Sequence, residues 1–297
     1  GSNDGTFMSY FKKKNYDILG FEPSLNVAKI ARKKGLKIIT NFFNYNNVSK
    51  SNKLKKKINL ICAANVICHI PDLNNLIKTI DYLLRKNGLF IFEEPYLGSM
   101  FKKVSYDQIY DAHVFIFSLH SVKSIFNSFG FELINAIPQK THGGSMRYVI
   151  ARKNMFKINS RVKKLLYKER LEKLNKISSC FKFKKNCENS KKKFKKKIID
   201  FKLKGKRICG YAASAKSTTA LNYCGIDNKY IDYIVDSTKE KIGKFTPGTH
   251  IPIKSPNYFK KNYPDIVILN SWNHKKEILK KEKGFKKKGG KWISHVK

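Results

Sequence analysis

The chain opens on a glycine turn with an acid inside it, Gly1-Ser2-Asn3-Asp4-Gly5, and Glu22 closes the next apolar run. A glycine turn with a downstream carboxylate is the general layout of a nucleoside site, the carboxylate taking the ribose hydroxyls. A dinucleotide would set a pyrophosphate on that turn, where Asp4 repels it, and the G-x-G-x-x-G spacing is absent. A cationic ligand suits Asp4 better. S-adenosylmethionine carries both a sulfonium and an ammonium. The competing reading is a turn that only packs strand on helix.

A second turn, Gly210-Tyr211-Ala212-Ala213-Ser214-Ala215-Lys216-Ser217, has the opposite character. It holds no acid, and Ser214, Lys216, Ser217 and a helix N-terminus favour an anion such as a diphosphate. Asp236 ends the strand after it. A turn that binds nothing explains it equally well. The loop His142-Gly143-Gly144-Ser145, with Arg147 beyond it, reads on its own as a hairpin turn. Its functional alternative is a substrate wall with exposed backbone N–H groups and a cation for an anion. His69 sits just past a strand, where ligands collect in parallel sheets. His113, with Tyr110 three residues before it, joins it as an acid–base candidate. Taken singly, each histidine reads as a packed or surface residue.

The elements that must position these residues alternate. Asp17–Glu22 reads as a strand, Asn26–Lys34 as a helix with Ser24 as N-cap and Gly35 as its stop, and Ile58–Ala63 as a strand. Leu73–Arg85 reads as a helix and Leu89–Phe92 as a strand. Such alternation predicts a parallel, helix-covered sheet. Residues 151–200 carry 19 Lys or Arg against 4 Asp or Glu. Their apolar positions predict two amphipathic helices with a break near Ser178-Ser179-Cys180. Strands at Arg207–Tyr211, Ile231–Asp236, Asp265–Leu269 and Lys291–Ile293 then predict a second doubly wound unit. The expected organisation is α/β throughout: a first Rossmann-like domain over 1–152, a basic helical linker over 153–204 and a second Rossmann-like domain over 205–297. No strand leads into the first turn and no initiating Met precedes it, which reads as a fragment.

Composition narrows the class. With 297 residues, 41% of them hydrophobic, two domains with real cores are expected. No apolar run is long enough for a transmembrane helix, and the polar first residues do not read as a signal peptide. The net charge of +41 suggests nucleic acid, but only 7 of the 62 basic residues are Arg, the better reader of phosphates and base edges. A solvated lysine surface is the preferred reading, with no specific nucleic-acid binding and no membrane partner. Six cysteines without a C-x-x-C pair give no zinc ribbon and fit a reducing cytoplasm.

Taken in order, the turn Gly1–Phe7, Gly20-Phe21-Glu22-Pro23-Ser24, Asn65-Val66-Ile67-Cys68-His69-Ile70-Pro71-Asp72-Leu73, Phe92-Glu93-Glu94-Pro95-Tyr96, Tyr106-Asp107-Gln108-Ile109-Tyr110, His142–Ser145 and Gly210–Lys216 span almost the whole chain. In this order they resemble the S-adenosylmethionine-dependent C-methyltransferases that act on nucleotide-linked keto-deoxysugars. The resemblance implies a class I methyltransferase domain, a helical connection and a carboxy-terminal Rossmann-like domain. Members of that family usually begin with a cysteine-rich zinc module, so zinc is expected only in such a module ahead of Gly1.

C-methylation beside a ketone needs an α-proton removed, the enolate oxygen held, and the enolate aimed at the methyl group. The resemblance assigns His113 as base, Tyr110 as donor to the oxygen, and His69 as a second acid–base or clamping group. It implies S-adenosylmethionine on Gly1, Asn3, Asp4, Gly5, Glu22, Pro23 and Asn65. It implies the sugar nucleotide on His142, Gly143, Gly144, Ser145 and Arg147, and on Ser214, Lys216 and Ser217 of the second turn. One departure stands out: the family's His-Glu-His reads Asp111-Ala112-His113 here. The alternatives are an RNA or protein methyltransferase using the lysine surface, and a non-catalytic sugar-nucleotide binder.

Overall fold

The computed structural model describes residues 1–50 and 52–296. They fall into two compact units, and each is assembled from several stretches of chain.

The first unit comprises Gly1–Tyr96, Val114–Gln139 and Ser145–Leu171. Its strands are β1 (Gly20–Phe21), β2 (Ile38–Ile39), β3 (Ile58–Ala64), β4 (Leu84–Pro95), β5 (Phe131–Gln139) and β6 (Ser145–Arg152). β1 and β2 form a parallel pair, while the larger sheet runs β3-β4-β6-β5. Among the described residues β3 pairs with β4 alone, so its other edge is open. β3 and β4 are parallel, as the alternation predicts. β4 with β6 and β6 with β5 are antiparallel, which corrects the expectation of a wholly parallel sheet. The reason is connectivity: β6 returns along β5 without a crossover helix, and only antiparallel strands can be joined so directly.

Phe90 and Phe92 project from one face of β4 into the main core, where Phe92 stacks on Tyr148 at 4.8 Å and on Phe90 at 5.1 Å between ring centres. Burying each such ring contributes roughly 1.5–3 kcal/mol. The helix Leu73–Leu83 starts where Asp72 accepts the N–H of Asn75 at 2.9 Å and buries Leu76, Ile77, Ile80 and Leu83. It stops two residues short of the predicted Arg85 because Leu84 enters β4.

The second unit comprises Leu97–His113, Lys140–Gly144 and Glu172–Lys297. β7 (Ile208–Tyr211), β8 (Tyr233–Val235), β9 (Ile253–Lys254), β10 (Ile266–Leu269) and β11 (Lys291–Ile293) form one parallel sheet in the order β11-β10-β7-β8-β9. The strand order reverses at β7, the doubly wound arrangement expected from the sequence. Cys209, Val235, Phe259, Val267 and Phe285 fill its core.

The stretch expected as one helical linker, 153–204, divides between the units. Ser160–Leu171 packs Val162 and Leu166 into the first core. Ile177–Leu203 buries Phe183, Cys187, Phe194 and Ile198 and belongs to the second unit. The break falls between Leu171 and Ile177, ahead of the Ser178–Cys180 position, and Lys173 there adopts a left-handed φ of 53°. Leu97–His113 and Lys140–Gly144 also belong to the second unit, although the chain reaches them from the first.

Candidate active site

In the first unit the opening turn is tied to the end of β1. Ser2 donates its N–H to Phe21 O at 2.9 Å, and Asn3 donates its N–H to Glu22 Oε2 at 2.9 Å. Glu22 Oε1 accepts from the N–H of Ser24 at 3.0 Å, so the carboxylate is fixed across Pro23. Gly5 has φ 76°, and a Cβ there would collide with Leu36 and Ala31. A Cβ on Gly1 would meet Val66 Cγ2 at 2.8 Å, next to Asn65. Asn65 has φ 55° and donates its N–H to Glu93 O at 2.9 Å. Its Oδ1 and the Ser2 Oγ are buried without a hydrogen-bond partner, the condition a polar ligand relieves.

Asp4 is engaged differently from the sequence expectation. Lys34 Nζ lies 2.9 Å from Asp4 Oδ2, and the N–H and hydroxyl of Thr6 donate to the carboxylate at 3.0 and 2.8 Å. Lys34 and Thr6 hold the Asp4 carboxyl down to about 2. A lysine of the chain therefore answers the charge that was expected to meet a sulfonium.

Glu93 and Glu94, each of which reads from the sequence as a buried cap or a substrate contact, have separate tasks. Glu94 is fully buried, and its Oε1 accepts from the N–H groups of Val66 at 2.9 Å and Ile67 at 2.7 Å. These bonds set the short 3-10 turn Ile67–His69, which leaves His69 exposed. Burial pushes the Glu94 carboxyl above its ordinary range, against the backbone donors that lower it. Glu93 Oε2 takes two hydrogen bonds from Arg147, from Nε at 3.1 Å and Nη2 at 2.9 Å, across the β4–β6 register. Arg147, expected as an anion ligand, is thus ion-paired. Ser145 is buried at the start of β6, paired with Pro95 and Gln139.

In the second unit Tyr110 and His113 come together. The Tyr110 hydroxyl is 2.8 Å from His113 Nε2, and His113 Nδ1 is 2.8 Å from the Gln108 carbonyl oxygen. A carbonyl can only accept, so Nδ1 carries the hydrogen. In the neutral ring Nε2 is then the basic nitrogen, and the phenol donates to it. Asp111 and Ala112 are exposed.

The turn Tyr106–Gln108 that carries this carbonyl is wholly buried. Tyr106 stacks on Tyr223 with ring centres 4.9 Å apart, its hydroxyl 3.3 Å from Cys224 Sγ. Asp107 Oδ2 accepts from Trp272 Nε1 at 2.7 Å, and His295 Nε2 stands 3.4 Å from Oδ1. Gln108 Nε2 donates to Ser105 Oγ at 2.7 Å.

The glycines of the His142–Ser145 loop serve close packing. Gly143, with φ 84°, lies against the Trp272 ring, and Gly144 lies against Ser99; a Cβ at either would overlap its neighbour. His142 has a left-handed φ of 50°. On the second turn Ser214 and Ser217 cap the helix Ala215–Cys224 reciprocally, Ser214 Oγ accepting from Ser217 N–H and Ser217 Oγ from Ser214 N–H. Asp236 accepts from the N–H groups of Ala213 and Thr238, both at 2.8 Å. Burial raises the Asp236 carboxyl, and these donors with Lys241 overcome that and hold it below its ordinary value. Lys216 Nζ is buried 5.2 Å from the Trp272 ring centre without a hydrogen-bond partner, and burial lowers its pKa.

Each unit therefore holds one set of candidates: the nucleoside-type turn, Asn65, His69, Ser145 and Arg147 in the first, and Tyr110, His113, His142–Gly144, Ser214, Lys216 and Ser217 in the second. Gln108, Asp107 and Trp272 were given no role from the sequence, and Glu94 stayed off the site list although the buried-cap reading fits it. A signal existed for Glu94, which shares a strand face with Phe90 and Phe92.

Two family models match. A methyltransferase domain covers residues 1–136. The C-methyltransferase C-terminal domain covers residues 140–296, and the chain belongs to that family. Over 294 residues it is 29% identical to C-methyltransferase NovU of Streptomyces niveus, a match covering 99% of this chain and 70% of that protein. Among solved structures it is similar to a SAM-dependent methyltransferase from Archaeoglobus fulgidus, at 14% identity and TM-score 0.41, over 52% of this chain and 83% of that one. Magnesium protoporphyrin IX methyltransferase of Synechocystis gives 13% identity and TM-score 0.39, over 52% and 67%. The protein is an S-adenosylmethionine-dependent methyltransferase of the C-methyltransferase family. No helix among the described residues is long and apolar enough to cross a membrane.

Proposed function

We propose that the protein methylates a carbon beside the ketone of a nucleotide-linked keto-deoxysugar, with His113 as the base. The observation that carries this reading is the bond from His113 Nδ1–H to the Gln108 carbonyl, which leaves Nε2 as the proton acceptor. Nε2 takes the α-proton, and the C–H electron pair becomes the enolate. The Tyr110 hydroxyl, already beside Nε2, turns to donate to the enolate oxygen. Bound S-adenosylmethionine supplies the electrophilic methyl group. On its side Glu22 meets the ribose hydroxyls, and Asn65 and Ser2 offer their unsatisfied oxygens to polar groups. His69 is the second acid–base or clamping candidate. Of the second turn, Lys216 is the residue left for the diphosphate, because Ser214 and Ser217 are occupied with each other. The six free cysteines fit a cytoplasmic setting.

The test has two readouts: methyl transfer from labelled S-adenosylmethionine to a nucleotide-linked 4-keto sugar, and exchange of the sugar's α-proton with deuterated solvent. Both are expected. Absence of both from a protein that binds both ligands would favour the second reading, a non-catalytic binder, which the alanine at position 112 supports. Calorimetry should show binding of S-adenosylmethionine and none of NAD.

A further inference from the structure

In a doubly wound sheet the crevice outside the strands' carboxyl ends, where the order reverses, is the usual place for a ligand. Here β7 and β10 flank that reversal. Trp272 follows β10 closely, and Lys216 stands in the first turn of the helix after β7. Between them they meet a piece of this chain's own backbone. The Trp272 indole N–H donates to Asp107 Oδ2 at 2.7 Å, Gly143 lies against the outer carbons of its six-membered ring, and the Lys216 and Lys103 ammonium groups lie 5.2 and 5.6 Å from its centre.

Asp107 is fully buried and lies one residue before Gln108, whose carbonyl fixes the His113 tautomer. Its neighbour Tyr106 is held by Tyr223 and Cys224, and Gln108 by Ser105, so the turn has little freedom to rotate. A carbonyl that moved by half an ångström or tilted would weaken its bond to Nδ1. The ring would then be free to exchange tautomers, placing the hydrogen on the nitrogen that must be basic.

We infer that Asp107, held by Trp272, is a positioning residue for His113, acting through the Gln108 carbonyl. The reversal point of the second sheet thus grips the segment that carries the base. This rests on the reading of His113 as base, but its structural half is measured without substrate.

The experiment uses the full chain and the variants Trp272→Phe and Asp107→Asn. Trp272→Phe removes the donor together with the outer ring carbons that meet Gly143; Asp107→Asn keeps the shape and removes only the charge, so an effect shared by both reports the contact itself. Nitrogen-15 NMR of the histidine rings, assigned by loss of the His113 signals in His113→Gln, should show the Nδ1–H form in the native protein and a mixture of tautomers in both variants. Far-ultraviolet circular dichroism and the urea midpoint should stay near those of the native protein, which controls for folding of the second unit that carries both substitutions. In turnover, kcat and α-proton exchange should fall together by roughly 10–100-fold with KM little changed. The double variant should be scarcely worse than either single one, because both act on one contact. Native tautomer signals in both folded variants, or a loss confined to KM, would overturn the inference. If the native protein neither exchanges nor methylates keto sugars, the functional reading fails while the tautomer measurement still decides this one.

Discussion

The Tyr110 hydroxyl lies 2.8 Å from His113 Nε2, and the pair forms although alanine occupies the position between Asp111 and His113. General acid–base groups commonly contribute about 10²–10⁴-fold. His113→Ala is therefore expected to cut methyl transfer and α-proton exchange by at least about 10²-fold. Tyr110→Phe should slow exchange and methyl transfer alike, because its hydroxyl steadies the enolate that both require. Parallel rate measurements in deuterated buffer check both.

Restoring the family carboxylate should help. Ala112 is exposed, so Ala112→Glu introduces the side chain without disturbing a core. An added carboxylate near an imidazole raises its basicity. The expected result is a turnover rate higher by up to about 10-fold, the low end of what outer carboxylates usually contribute. Steady-state kinetics of the two proteins, side by side, gives the answer.

Glu94 predicts a pH effect on stability with a definite sign. Burial raises its pKa in the folded state above the unfolded value of about 4.3. Between those two values the native protein binds more protons than the unfolded chain, so this group makes stability fall as pH rises. Glu94→Gln keeps an oxygen for the Val66 and Ile67 N–H groups and removes the ionisation. Urea titrations from pH 4 upward should show the native protein losing stability relative to Glu94→Gln through the raised pKa.

Glu169 predicts the largest loss of stability. Fully buried, it accepts from Leu119 N–H at 2.7 Å, His120 N–H at 3.0 Å, the Tyr96 hydroxyl at 2.9 Å and His120 Nδ1 at 2.6 Å. It holds the start of the helix Leu119–Asn127 from the helix Ser160–Leu171. Glu169→Ala strands these donors and should cost about 3–5 kcal/mol, read as a lower urea midpoint. Phe92→Ala should cost a comparable amount through a cavity alone.

Much of the architecture was legible because apolar runs bounded by Gly, Asn and Lys mark strands well. β7, β10 and β11 lie within a residue of their expected bounds. β5 went unread because Asn135 and Pro138 interrupt its apolar run, although the hairpin reading of His142–Ser145 already marked the antiparallel return into β6. Asp4 was legible as an unusual acid in a glycine turn, but its partner Lys34 is brought back by a strand and a helix. Arg147 was legible as a cation, whereas its pairing with Glu93 depends on strand register. Asp107 and Trp272 are 165 positions apart, beyond the reach of any local pattern.

The chain passes from one unit to the other five times, at 96/97, 113/114, 139/140, 144/145 and 171/172. No single cut yields two complete halves. A fragment ending at Leu171 would carry Tyr106 and Asp107 without the Tyr223 and Trp272 that cover them, and a fragment starting at Glu172 would expose those partners in turn. Neither half would be a self-sufficient folding module. Separately expressed halves should recover structure only on mixing, by complementation.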